Sequence, residues 1–161
     1  MIRNATPLDA FSICQIYNPY VLETHVTFEE VPVSSEEMAH RIRQVLGEGL
    51  PWLVLEEEGK VIGFSRAVRW RERSAYRFSV ESSIYLDPAH TRRGLGILLY
   101  SELLSQLKTL GVHVVLAGIA QPNPASLALH RKLGYEKVAH FKEVGWKFAR
   151  WIDVEYWELL I

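Results

Sequence analysis

The chain is 161 residues long, 48% hydrophobic and nearly balanced in charge, with 18 Lys and Arg against 19 Asp and Glu. That length and apolar content suit one domain with a core of its own, and a net charge of −1 gives no overall positive field for nucleic acid, so any anion site must be local. The single Cys14 excludes an internal disulfide and reads as a core residue in a reducing compartment. No apolar run nears the roughly 20 residues of a membrane span, and the start MIRNATPLDA lacks the basic and apolar parts of a secretion signal, so the expected location is cytoplasmic, with no membrane role.

Thr6, Pro7 and Asp9 spell a helix start, and Ile13, Ile16, Tyr17, Tyr20 and Val21 follow at helical spacing. Ser34 and Glu37 form a capping-box pattern ahead of Met38, Ile42, Val45 and Leu46, with Gly47 as the stop of a shorter second helix. WLVLEEEGKVIGFSRAV is two apolar runs joined around Glu58-Gly59, which predicts an antiparallel hairpin. YRFSVESSIYL predicts a third strand, ended by Asp87-Pro88 because proline cannot continue the ladder. From Gly94 to Leu110 the pattern is helical, with Leu95, Leu99, Leu103, Leu107 and Leu110 on one side and Gly111 as the stop. VHVVLAGI reads as a short strand buried on both faces, and Asn123-Pro124 opens a helix that runs through Leu127 and Leu133 to Gly134. YEKVAHF and WIDVEYWELL close the chain as strands. Strands alternating with helices, without repeat or linker, predict one layered α/β or α+β domain over residues 1–161.

The stretch TRRGLGILLYSEL sets two arginines and two glycines at a helix start. N–H groups there carry partial positive charge, Gly94 and Gly96 let an anion approach bare backbone, and Arg92 and Arg93 add full charges, an arrangement that fits a diphosphate. The same four residues would also serve as packing glycines beside a solvated basic corner. No Gly-Lys-Ser/Thr follows, and the third glycine of the dinucleotide fingerprint is missing, so nucleotide hydrolysis and hydride transfer lose support.

On these residues the sequence resembles the GNAT N-acetyltransferases, whose acetyl-CoA pyrophosphate sits on an Arg/Gln-x-x-Gly-x-Gly/Ala loop. Thr91 stands where that motif has Arg or Gln. NPASLALHRKLGY is similar to the second coenzyme-side segment. YRFSVESSIYLDP and VGWKFARWIDVEYWEL, with IYNPYVLETHVTFEE, resemble the phosphinothricin and methionine sulfone/sulfoximine acetyltransferase branch over most of the chain. The resemblance implies a mixed, mostly antiparallel sheet with splayed central strands, acetyl-CoA as cosubstrate, a small amino-acid-like acceptor and a homodimer. It implies coenzyme contacts at Ile84, Tyr85 and Leu86 on the third strand, at Arg92, Arg93, Gly94, Leu95 and Gly96, and at Asn123, Ser126 and His130 downstream. Other amine acceptors, such as a polyamine or a protein N-terminus, or a coenzyme-binding module without turnover, are the rival readings.

Amine attack on a thioester needs a neutral nucleophile, and Glu81 is the expected base: it interrupts a strand suited to burial, where a carboxyl rises toward the useful range. An edge-strand glutamate facing water would give the same pattern. With unbroken alternation Arg77 and Glu81 share a face about 13 Å apart, so that an acceptor carboxylate could lie on Arg77 and its amine near Glu81; Arg71 could serve the same end from a loop. His130 could protonate the leaving thiolate or only fasten its helix. Thr24, Phe28, Trp70, Trp146, Lys147 and Phe148 are candidate walls of the acceptor pocket, though each also reads as ordinary packing. The histidines and Cys14 show no paired ligand spacing, and no metal is expected.

Overall fold

The computed structural model describes residues 1–161. Its strands are β1 (Ile2–Asn4), β2 (Trp52–Glu57), β3 (Lys60–Arg69), β4 (Ser79–Leu86), β5 (Val114–Ala120), β6 (Glu136–Lys147) and β7 (Arg150–Leu160). Its helices are α1 (Ala10–Glu23), α2 (Ser35–Gly47), α3 (Leu95–Thr109) and α4 (Pro124–Lys132). The strands form one seven-stranded mixed sheet in the order β1-β2-β3-β4-β5-β7-β6, in which only β4 and β5 run parallel.

Alternation along the strands divides the core in two. Trp52, Val54 and Phe64 point to the face covered by α1 and α2, where they meet Ile13, Tyr17, Met38 and Ile42. Leu53, Leu55, Val80 and Val115 point to the other face, against Leu99, Leu103 and Leu107 of α3, and leucines 127, 129 and 133 in and just after α4 join that side. Strands so clothed on both faces read as continuous apolar runs, as β2 and β5 do.

Local chemistry explains the ends of these elements. The β2–β3 turn has Glu58 at φ 51° and Gly59 at φ 76°, the left-handed pair of a two-residue hairpin. Ser34 accepts the Glu37 N–H at 3.1 Å to start α2, and Asn123 accepts the Ser126 N–H at 3.1 Å to start α4. Three boundaries differ from the sequence pattern. The three-residue β1 adds an edge strand too short to leave a periodic signal. β4 begins only at Ser79, because residues Ser74–Tyr76 wind into a 3-10 turn ahead of it. β6 runs on to Lys147 through two irregularities in its pairing with β7.

The feature that positions the site is a fork. β4 pairs with β5 only through Ser79, Val80 and Glu81, opposite Val114, Val115 and Leu116. Beyond Glu81 the two strands separate, which leaves the β5 side of residues 82–86 without a strand partner.

Candidate functional site

Two cavities adjoin at that fork. The first, of about 610 Å³, lies between the separated strands and the amino-terminal ends of α3 and α4. Ser82 through Leu86, Thr91, Arg92, Gly94, Gly96, Asn123, Ser126 and His130 are among its lining. The second, of about 600 Å³, is mostly apolar and lies on the α1–α2 side. Val26, Phe28, Trp70, Arg71, Glu81, Phe141 and Tyr156 are among its walls. Val26 and Gly118 border both.

The first cavity fits a pyrophosphate. Gly94, at φ 76°, caps α3 with no side chain, and the N–H groups of Leu95, Gly96 and Ile97 donate to no loop carbonyl. These donors converge at the positive end of a 15-residue helix. Arg92, itself left-handed at φ 61°, lines the same space. Arg93 does not: its guanidinium is held bidentately by Glu57 at 2.8 and 2.7 Å, because the β2–β3 hairpin brings that carboxylate beside the loop. Thr91 turns its hydroxyl back to the Pro88 carbonyl at 3.1 Å. The Leu95 side chain packs on the core, so only its backbone belongs to the cradle. Ile84, Tyr85 and Leu86 line the cavity from the unpaired stretch of β4, whose exposed peptide groups suit an amide-bearing chain such as a pantetheine arm.

Glu81 is the last β4 residue paired with β5, and its carboxyl reaches the second cavity. A Cβ on Gly118 would stand 3.1 Å from Glu81 Oε1 and 3.3 Å from the Tyr156 hydroxyl, so the glycine makes the space in which acid and phenol meet. Burial raises the Glu81 carboxyl above its ordinary range; the Tyr156 hydroxyl, the charges of Arg66 and Arg71 and the Gly118 N–H oppose that rise. A raised carboxyl beside a cavity is suited to taking a proton near neutrality. Gly118 and Tyr156 were not legible in the sequence, since they face Glu81 only through the β4–β5–β7 register.

Trp70 and Arg71 line the second cavity, with the guanidinium 5.0 Å over the indole and Trp70 edge-on to Tyr156 at 5.3 Å. Phe28 lines it too, with its ring pressed so close to Gly145 that a Cβ there would overlap it. Arg77 does not share the face of Glu81: it has helical angles at the end of the 3-10 turn, is exposed, and donates to the Ser74 carbonyl at 3.1 Å. The turn breaks the alternation that would have aligned the two side chains. Thr24 and Lys147 also stand outside the lining. Thr24 bonds back to the Tyr20 carbonyl at 2.7 Å, and buried Lys147 donates to the carbonyls of Val21 and Thr27 at 2.7 and 2.8 Å. Trp146 and Phe148 are exposed on the β6–β7 hairpin.

His130 borders the first cavity but is only 3% exposed. Its Nδ1 lies 2.8 Å from the Ser126 carbonyl, which makes that nitrogen the donor, and Nε2 lies 3.3 Å from the Tyr100 hydroxyl. Burial pushes the imidazole below its usual value, so it is neutral at neutral pH. Tyr100 also meets Ser82 at 2.6 Å, which ties α3, α4 and the base of β4 together.

The chain matches the acetyltransferase (GNAT) domain family over residues 2–156. It is 39% identical over 98% of its length, and 92% of the relative's, to the L-methionine sulfoximine/L-methionine sulfone acetyltransferase of Salmonella typhimurium. The crystal structure of a phosphinothricin acetyltransferase from Sinorhizobium meliloti in complex with AcCoA superposes with a TM-score of 0.96 at 41% identity, covering 100% of this chain and 88% of that one. A ribosomal-protein-alanine N-acetyltransferase from Brucella melitensis superposes with a TM-score of 0.97 at 35% identity, covering 100% and 99%. With its forked strands, its glycine cradle at α3 and these relatives spanning nearly its whole length, the chain belongs to the GNAT acetyltransferase family.

Proposed function

We propose that the protein moves the acetyl group of acetyl-CoA to the α-amine of a small amino-acid-like acceptor, by direct attack and with Glu81 as general base. The observation that carries this reading is the meeting of the two cavities at Val26 and Gly118, next to Glu81: a donor in one and an acceptor in the other come together beside a carboxyl raised by burial. The backbone donors of residues 94–97 and Arg92 hold the diphosphate, and the free edge of β4 aligns the pantetheine arm. Glu81 removes the ammonium proton, directly or through water, which frees the lone pair that attacks the thioester carbonyl. As the amide forms the C–S bond breaks, and coenzyme A leaves as a thiolate that takes up the second proton lost by the nitrogen, directly or through water. Arg71 receives the acceptor carboxylate. Its place in the cavity wall favours it over Arg77. His130, neutral with both ring nitrogens engaged, acts by fixing α4 against the coenzyme cavity.

The relatives favour such acceptors, being named for methionine sulfoximine, methionine sulfone and phosphinothricin. A protein N-terminus is the second reading, because the Brucella neighbour is named for a ribosomal-protein alanine. Thiol release from acetyl-CoA, measured over these three amino acids, a polyamine and an alanine-initiated peptide, separates the two. We expect turnover with the free amino acids. For Glu81→Gln we expect a loss of kcat of about 100-fold or more at neutral pH, with partial recovery at high pH where the free amine is abundant. Turnover with the peptide alone would move the reading to protein acceptors. No turnover with any amine, despite coenzyme binding, would leave a binding module. The protein is further proposed to act as a cytoplasmic homodimer.

A further inference from the structure

We infer that Arg66 is a second anion anchor of the acceptor site, which selects acceptors whose side chain ends in an acid group over those with a neutral head. The inference rests on the proposed acetyl transfer and names the substrate class within it.

Arg66 lies at the centre of the sheet, opposite Trp52 of β2 and Ser83 of β4. Its neighbour on the same face of β3, Val68, is opposite Glu81. Arg66 and Glu81 are therefore diagonal neighbours on one face, about 7–8 Å apart at the backbone, within reach of an arginine side chain or of a small molecule held between them. Both look toward the α1–α2 side, where the acceptor cavity opens.

What distinguishes Arg66 is desolvation without a carboxylate at ion-pair distance. Its guanidinium lies 4.8 Å over the Trp52 ring, and its one hydrogen bond is a long one, from Nε to the Ser83 hydroxyl at 3.4 Å. Arg3, Arg41 and Arg93 each hold a carboxylate at 2.6 or 2.7 Å. Glu29, whose charge reaches Arg66, is bound by Arg41 at 2.6 and 3.3 Å and by the Tyr17 hydroxyl at 3.1 Å. Burial pushes the Arg66 guanidinium below its usual value, and Arg41 adds to that push. A cation desolvated in this way is costly unless an anion comes to it, and here the protein supplies none at ion-pair distance. Arg66 does not itself line the acceptor cavity, whose wall includes Glu81, Trp70 and Arg71. To reach a ligand there its side chain must leave the Trp52 ring and cross the width of one strand on the same face, and the one hydrogen bond it gives up is the long one to Ser83.

With Arg71 on the α-carboxylate and Glu81 at the amine, Arg66 takes the far end of the acceptor. Phosphinothricin carries an anionic phosphinate there, whereas the sulfone of methionine sulfone is neutral. The experiment compares kcat/KM for these two acceptors in wild type, Arg66→Gln and Arg66→Lys, with the coenzyme Kd and Tm of each variant as checks on folding. Wild type should favour phosphinothricin. Arg66→Gln should lower the phosphinothricin to methionine sulfone ratio at least about tenfold, and Arg66→Lys should retain part of it. Glutarate should also inhibit wild type more strongly than butyrate, a comparison that needs no variant. An unmoved ratio, a parallel fall for both acceptors, or equal inhibition by the two acids would overturn the inference while leaving acetyl transfer in place. Wild-type inactivity on both amino acids would overturn the amino-acid-acceptor reading and this inference with it.

Discussion

Glu81 is held in a state that costs the fold stability at neutral pH and suits the base role proposed for it. Its carboxyl is raised by burial, so the folded protein binds its proton more tightly than the unfolded chain does. Such a group contributes stability below the unfolded carboxyl pKa, about 4.3, and loses it as pH rises through the folded value. At neutral pH the charged carboxylate is a net burden. Glu81→Gln should therefore raise Tm at pH 7–8 while abolishing most turnover, and the gain should shrink toward pH 4, where the native acid is already neutral. Thermal melts across that range check it; a variant less stable than wild type at pH 7–8 would show that Glu81 is a stabilising ion. The residue was legible in the sequence as a charge interrupting a strand suited to burial. Gly118 and Tyr156, which shape its surroundings, were not, because strand register and not sequence spacing brings them to it. Arg77 failed for a related reason: alternation holds only inside a strand, and Arg77 closes the 3-10 turn at Ser74–Tyr76, ahead of the point where β4 begins at Ser79.

At the scale of elements, the acceptor cavity depends on a segment with little structure of its own. Residues 24–34 join α1 to α2 and supply Val26 and Phe28 to the cavity wall. Lys147, at the end of β6, fastens this segment from across the molecule: Nζ takes the Val21 carbonyl in the last turn of α1 and the Thr27 carbonyl beyond it. A cation suits the negative end of a helix, and both carbonyls would otherwise be buried without a donor. Lys147→Met should cost about 1–3 kcal/mol of stability and raise KM for the acceptor several-fold, with the coenzyme Kd little changed because the α3 cradle lies elsewhere. Unfolding curves with separate acceptor and coenzyme titrations test this, and equal weakening of both ligands would contradict it. The helices and the β2–β3 hairpin were plain in the sequence, since caps, glycine stops and apolar spacing are local signals. β1 and the full length of β6 were not. A three-residue edge strand has no period to detect, and the pairing irregularities in β6 interrupt its alternation.

At the scale of the whole molecule, the β6–β7 hairpin is an unfinished surface. Val144, Trp146, Phe148 and Trp151 are each more than half exposed, and Trp146 and Trp151 stack edge-on at 4.8 Å near the tip. A contiguous apolar group of this kind marks an interaction site in a soluble protein, and aromatic residues of this size are the usual anchors of such an interface. The same strand carries Val138, Phe141 and Val144 into the wall of the acceptor cavity, so whatever covers the hairpin also shapes the pocket. A second copy of the chain, packed hairpin to hairpin with roughly 800 Å² from each partner, meets both demands and requires no other protein. Light scattering during gel filtration should then give twice the mass of one 18.5 kDa chain at micromolar concentration. The double substitution Trp146→Ser, Trp151→Ser should shift the protein to monomers and raise KM for the acceptor, while coenzyme binding persists through the cradle at α3. A wild type that stays monomeric at tens of micromolar would remove the dimer; a monomeric variant with unaltered KM would show that each pocket is complete within one chain.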